Sequence, residues 1–153
     1  MAKPTRVSWN DAANAAENTR LKLPVLALAY FRAGRKLAAG VYSAKAYHQF
    51  RLKTKRLRYT LEFFRPCYGP GLAMRLAALR KLQDCLGDIS DCEAARDLVK
   101  TAPPEERKQA ERHLRARIRR RAAQFRRDWQ REFDAAGEER RWRAYLSRSH
   151  AAG

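Results

Sequence analysis

The sequence predicts an all-α fold, an antiparallel helical bundle with a long arginine-rich helix towards the C-terminus. Three observations carry this expectation. Strand-like alternation of apolar and polar residues is nearly absent. Helix breakers are few and cluster where turns fit. Apolar residues recur every three or four positions, most plainly at Leu114, Ile118, Ala122, Phe125, Trp129 and Phe133. With 153 residues, 45% of them hydrophobic, the chain has room for a core and is expected to form one domain over 1–153. The motif region falls at 44–100 and the basic C-terminal helices at 104–150.

The elements follow in order. Ser8 is a candidate N-cap for a short helix to about Arg20. Pro24 suits the first turn of a second helix, which ends at Gly40. One long helix kinked at Pro24 is the alternative. Ser43 can cap a helix over 44–64, and RPCYGPG, 65–71, reads as a turn. The next helix is expected over 71–86, closed by Gly87, with Asp88 capping another from Ile89 to about Lys100. TAPP breaks the chain again. Pro104, Glu105 and Glu106 then open the long helix, because proline fits the first turn and carboxylates complement the helix dipole. Gly137 ends or bends it. Trp142, Tyr145 and Leu146 are spaced to dock one face of a last short segment.

Charge narrows the function. The formal net charge is +18 and the pI about 10.7. Such an excess repels itself in a compact fold, and a polyanionic partner relieves the repulsion. DNA, RNA, an anionic membrane surface and an inorganic phosphate polymer all qualify. The longest apolar run, residues 23–31, is far short of the roughly 20 residues that span a bilayer. The first residues contain no apolar leader core. Cys67, Cys85 and Cys92 have no zinc-ligand spacing and read as reduced thiols, Cys85 and Cys92 in the core. A soluble, cytoplasmic protein is expected.

The stretch YHQFRLKTKRLRYTLEFF, residues 47–64, carries five lysines and arginines, one histidine and one acid. At 100° per residue, Arg51, Lys55, Tyr59 and Glu62 fall within about 60° of His48. Phe50, Leu57, Leu61 and Phe64 fall within about 40° of the opposite direction. Arg58 flanks the polar stripe on one side and Arg56 lies farther round on the other. One face therefore belongs to the core and the other is cationic. Arg51 and Lys55 are like-charged at i,i+4, an arrangement that costs about 0.2–0.5 kcal/mol on a solvated helix. A second constellation, LRKLQDCLGDISD at 79–91, places Arg80, Gln83, Asp84 and Gly87 on one helix face. Asp84 and Asp91 are candidates to hold a cation across a helix interface.

Together these two stretches resemble the CHAD domain, the conserved histidine α-helical domain. His48, Arg51, Lys55, Arg56, Leu57, Arg58, Tyr59, Leu61 and Glu62 stand in the register of its first motif. Leu82, Gln83, Asp84, Leu86, Gly87 and Asp91 stand in that of its second. The resemblance spans residues 48–91 and implies a helical bundle with a basic surface that binds inorganic polyphosphate. It implies that His48, Arg51, Lys55, Arg56, Arg58 and Tyr59 bind the polymer on that surface, and that Arg80 joins from the facing helix. A complete CHAD domain has two related halves, whereas this chain has the length of one and looks like the second. A homodimer would rebuild the pair.

Polyphosphate fits this chemistry. Arginine forks bind phosphate oxygens bidentately, lysine adds a mobile charge, and no base requires stacking. A row at helical spacing sets the heads about 5 Å apart. The sequence contains no recognisable catalytic set, metal-ligand set or cofactor motif, so a non-catalytic binding module is expected. Targeting to polyphosphate granules is a role such a module could serve. The competing expectation is nucleic acid, alone or as a competitor. RARIRRRAAQFRRDWQR, residues 115–131, is an arginine-dense helix, and Arg119, Arg120, Arg126 and Arg127 would carry that binding. Its aromatics share the apolar stripe, so they are expected to pack inward and not to stack on bases.

Overall fold

In the computed structural model, which describes residues 8–149, the first helix opens at Asn14 and not at Ser8. Asn14 Oδ1 accepts the Glu17 backbone N–H at 2.8 Å, satisfying one of the free donors of the first turn. The residues before it are held by Asn18, which accepts from the Asn10 N–H and donates to the Asn10 and Ala13 carbonyls. Short polar side chains of this kind compete with helix for the backbone, which is why residues 8–13 stay non-helical. The reading that found no leader rests partly on residues 1–7, which lie outside the described range.

Helix α1, Ala15–Ala39, continues through Pro24. The single long helix therefore replaces the expected pair. Leu23, Ala27, Tyr30, Phe31 and Leu37 are all buried, so one apolar stripe runs past the proline. Burying those side chains, at about 1.5–3 kcal/mol for each large one, outweighs the roughly 3 kcal/mol that an interior proline costs. Helix α2, Ala44–Phe63, follows a short turn after Gly40. Helix α3, Gly71–Leu98, is unbroken. Gly87 and Asp88 lie in its interior, so neither caps a helix end. Helix α4, Pro104–Glu132, opens on the expected proline and glutamates. It ends before Gly137 is reached. That glycine, with a left-handed φ of 79°, instead leads into α5, Glu138–Leu146.

Contacts between helices give their directions. From α2 to α3, His48 meets Ser90, Arg58 meets Gln83 and Glu62 meets Arg80, so one number rises as the other falls. From α3 to α4, Lys81 meets Glu132, Cys85 meets Arg121 and Asp88 meets Arg117. From α1 to α5 and the residues just after it, Ala16 meets Ser149, Phe31 meets Trp142 and Arg35 meets Glu139. Each of these pairs is antiparallel. Helix α3 lies between α2 and α4, and α5 closes over α1.

The core is aromatic where α1, α2 and α4 meet. Trp129 and Phe133 stack with centroids 4.7 Å apart, and Phe31, Phe50 and Phe125 surround Trp129. The expected inward stripe of α4 is buried from Ala122 onwards, with Ile118 packed at its edge. Phe50, Leu57 and Leu61 of α2 are buried and Phe64 packs against them. In the same region Tyr30 donates its hydroxyl to Thr54 Oγ1 at 3.0 Å, since Thr54 spends its own proton on the Phe50 carbonyl. Trp142 and Leu146 of α5 are buried and Tyr145 partly so. All three cysteines are free and buried, and burial pushes the Cys85 thiol up to about 11.

Two interior helix glycines give opposite expectations. A methyl group at Gly34 would overlap the Trp129 ring. One at Gly87 would meet only Arg51 Nε, at an ordinary 3.5 Å. Gly34→Ala is expected to destabilise by about 1–3 kcal/mol through overpacking. Gly87→Ala is expected to stabilise by about 0.5–1 kcal/mol through helix propensity, which a left-handed C-cap would not allow. Urea midpoints of the two variants check both signs.

Candidate polyanion-binding site

Helix α2 presents its basic face beside α3 because its apolar residues commit the opposite face to the core. Along the α2–α3 seam, His48 Nδ1 lies 3.4 Å from Ser90 Oγ. Arg51 comes next, half-buried against Gly87 of α3. The guanidinium lies over Gly87 with room to spare, since a methyl group there would meet Arg51 Nε only at van der Waals distance. Arg51 Nε is buried there and has no hydrogen-bond partner among the described residues. Lys55 is half-buried, with its Nζ 5.9 Å from the Tyr59 ring centroid. The Arg58 guanidinium lies over the same ring at 4.4 Å, and Tyr59 is 50% exposed.

At the far end of the seam the cations are clamped. Arg58 donates to Gln83 Oε1 at 2.9 Å and to Glu62 Oε1 at 2.7 Å. Arg80 of α3 donates to the same Glu62 oxygen at 3.0 Å while its side chain remains 56% exposed. Glu62 thus joins one guanidinium from each helix. Partial desolvation pushes its carboxyl up, but the Arg80 and Arg58 guanidiniums outweigh this and hold it below the usual carboxylate range. Two cations against one anion leave a surplus positive charge in an ordered position.

The seam gathers His48, Arg51, Lys55, Arg58, Tyr59 and Arg80. Arg56 is different. It lies about 160° around α2 from Arg58, the residue that reaches α3, so it occupies the opposite edge of the helix. Of the five lysines and arginines in residues 47–64, Arg58 alone forms an ion pair among the described residues. Clefts among the described residues include one at the α4–α5 turn, one along α4 and one at the α2–α3 turn, the last reaching Glu62 at the end of the seam.

Neither Asp84 nor Asp91 takes the expected helix-bridging role among the described residues; both are exposed. Asp88 takes it. Its carboxylate accepts from Arg117 at 3.0 Å and Arg121 at 2.5 Å, both on α4. Desolvation pushes Asp88 up, and the two guanidiniums more than reverse that, leaving it below the ordinary range. Sequence reasoning missed this residue because a Gly-Asp pair reads as a cap. It also missed Ser90, which continues the Gln83–Gly87 stripe once α3 is unbroken. Among the described residues no His, Cys, Asp or Glu cluster could hold a metal ion, and no helix is long and apolar enough to cross a membrane.

The same stretch of chain that builds this seam matches a known family. The CHAD domain covers residues 8–100, more than half of the chain. This chain belongs to the CHAD family. The match takes in α1, α2 and α3, including every residue of the seam, and stops before α4. CHAD domains are known as polyphosphate-binding modules. No curated protein and no solved structure matches the chain.

The clamps predict an acid response. Glu62 and Asp88 have lowered folded-state pKa values, so their stabilisation is present above the ordinary carboxylate range and lost as pH falls through the lower folded values. Stability is expected to fall between about pH 5 and pH 2. Glu62→Gln and Asp88→Asn should each be less stable near neutrality yet lose less on acidification. Thermal melts across that window check both the sign and the slope.

Proposed function

We propose that this CHAD protein binds inorganic polyphosphate on the α2–α3 ridge and performs no chemistry on it. The single observation that carries the proposal is a row of basic side chains, His48, Arg51 and Lys55, without carboxylate partners among the described residues, beside a pair, Arg58 and Arg80, that shares one. An ordinary solvated helix would intersperse acids at i,i+4 and gain a few tenths of a kcal/mol from each pair. Here the free cations stand in file along the helix, at about 5 Å of rise per turn. An extended chain of phosphates can lie along them. Tyr59 provides a ring under two cations and needs no nucleobase.

Roles follow from position. Arg51 and Lys55 provide the main charge. Arg58 and Arg80, already oriented by Glu62, offer their remaining N–H groups at little entropic cost. His48 contributes conditionally, because an anion beside an imidazole favours its protonated form. Arg56 stands outside the row and adds only to the general field. A cytoplasmic location at polyphosphate granules accords with this reading. The acids nearest the ridge offer no catalytic pair: Glu62 and Asp88 are committed to arginines, and Asp84 and Asp91 are apart on the outer face of α3.

Nucleic acid would bind through the C-terminal arginines instead. The aromatic residues of α4 that could stack on bases, Phe125 and Trp129, are fully buried, which weighs against that reading.

The proposal is tested by titrating the protein with labelled long-chain polyphosphate at about 0.15 M salt, then challenging with excess RNA and DNA. Polyphosphate should resist displacement. Arg51→Ala/Lys55→Ala should weaken it tenfold or more, since a charge-assisted bond contributes about 1.5–3 kcal/mol. Ready displacement by RNA, with the double variant unaffected, would place function on α4. Binding should also be tighter near pH 6 than near pH 8.5, about the ordinary imidazole range. Release of orthophosphate with magnesium present would contradict the non-catalytic part.

A further inference from the structure

Helix α4 lies outside the portion matched to the CHAD domain, and it has an arginine cluster that the α2–α3 ridge does not explain. Arg117, Arg120, Arg121, Gln124 and Arg127 line a cleft of about 340 Å3 on its α3-facing flank. Surface arginines are usually mobile, but three of these four are held. Arg117 and Arg121 are fixed by Asp88 of α3. Arg127 donates to Gln124 Oε1 at 2.9 Å. Gln124 in turn donates to Asp128 Oδ1 at 2.9 Å, and Asp128 is buried. A buried carboxylate thus orients an amide, and the amide orients an exposed guanidinium. Arg120 is exposed and completes the set.

The charges do not balance. Among the described residues, Asp88 is the one carboxylate paired with any of these four guanidiniums. Each held arginine still has N–H groups that its protein partner does not use. The cleft offers donors in fixed forks and no aromatic lining, which suits the oxygens of a compact phosphate anion. It is also separate from the ridge on α2. Helix α3 lies between them, and its outward face carries the exposed carboxylates Asp84 and Asp91. A phosphate chain crossing from one cluster to the other would pass over those acids.

We infer that the α4 cleft is a second oxyanion site, independent of the ridge, that takes a short condensed phosphate of the pyrophosphate or tripolyphosphate class. It does not rest on the function proposed for α2–α3.

The probe is inorganic tripolyphosphate, titrated into the full chain at about 0.15 M salt while the arginine Nε–Hε signals are followed by NMR. Arg117 and Arg121 signals should shift in the wild type and equally in Arg51→Ala/Lys55→Ala. Arg120→Ala/Arg127→Ala should weaken the response at Arg117 and Arg121 tenfold or more, the equivalent of one charge-assisted contact of about 1.5 kcal/mol. Arg115→Ala/Arg119→Ala removes the same charge from the other flank of α4 and should change it less than about threefold, as expected of screened distant charge. All four side chains are exposed, and melting curves verify folding of each variant. Equal losses in the two α4 pairs would overturn the inference, because net charge alone would then explain binding. So would motionless Arg117 and Arg121 signals. Loss of duplex-DNA binding in Arg120→Ala/Arg127→Ala, with tripolyphosphate binding intact, would overturn it in favour of a nucleic-acid surface.

Discussion

Helix α3 continues through Gly87 and Asp88, and the arrangement of both basic clusters depends on that continuity. An unbroken rod keeps one set of residues, Arg80, Gln83, Gly87 and Ser90, turned towards α2. It keeps a second set, Lys81, Cys85 and Asp88, turned towards α4. A break at Gly87 would rotate the second half of the helix away and take Ser90 from His48. The continuity is maintained from both sides. Leu79, Leu82, Leu86 and Ile89 are fully buried beneath the helix, and Asp88 is anchored to α4 by two arginines.

The placement of acids follows the same logic. The chain has 34 lysines and arginines but only 16 aspartates and glutamates. Several of those few acids are spent where helices meet: Glu62 between α2 and α3, Asp88 and Asp128 between α3 and α4. There they stop cations from repelling one another across a seam. Among the described residues, Arg51 and Lys55 on the outward side of α2 receive none. A sequence selected only for stability would have spread its acids over that ridge, since each i,i+4 pair adds a few tenths of a kcal/mol. Leaving it unneutralised makes sense when the counter-charge arrives from outside.

Some of this is legible in the sequence because it is written in local periodicity. The two faces of α2, the inward aromatics of α4, the Pro104 start and the docking face of α5 each follow from 3.6-residue spacing and first-turn chemistry. The CHAD resemblance groups Arg80 with the residues of α2, and in the structure it meets Glu62 at one end of the α2–α3 seam. What is not legible depends on partners distant in sequence. Nothing near Gly87 announces that Arg51 lies over it, or that Arg117 and Arg121 reach Asp88. Local rules therefore favour a cap. Pro24 is ambiguous for the same reason: the stripe that carries α1 through it acquires its value from α2, α4 and α5. Arg56 sits inside the motif run, and only the direction of α3 reveals that it faces away.

Lysine footprinting tests the central claim most directly, because α2 contains its own control. Lys53 and Lys55 are two residues apart, yet about 160° separates them around the helix. Lys55 stands in the ridge and Lys53 does not. Acetylation of each would be quantified by mass spectrometry with and without long-chain polyphosphate. The account predicts protection of Lys55 and little change at Lys53. Equal protection of both, or protection confined to lysines outside α2, would contradict it.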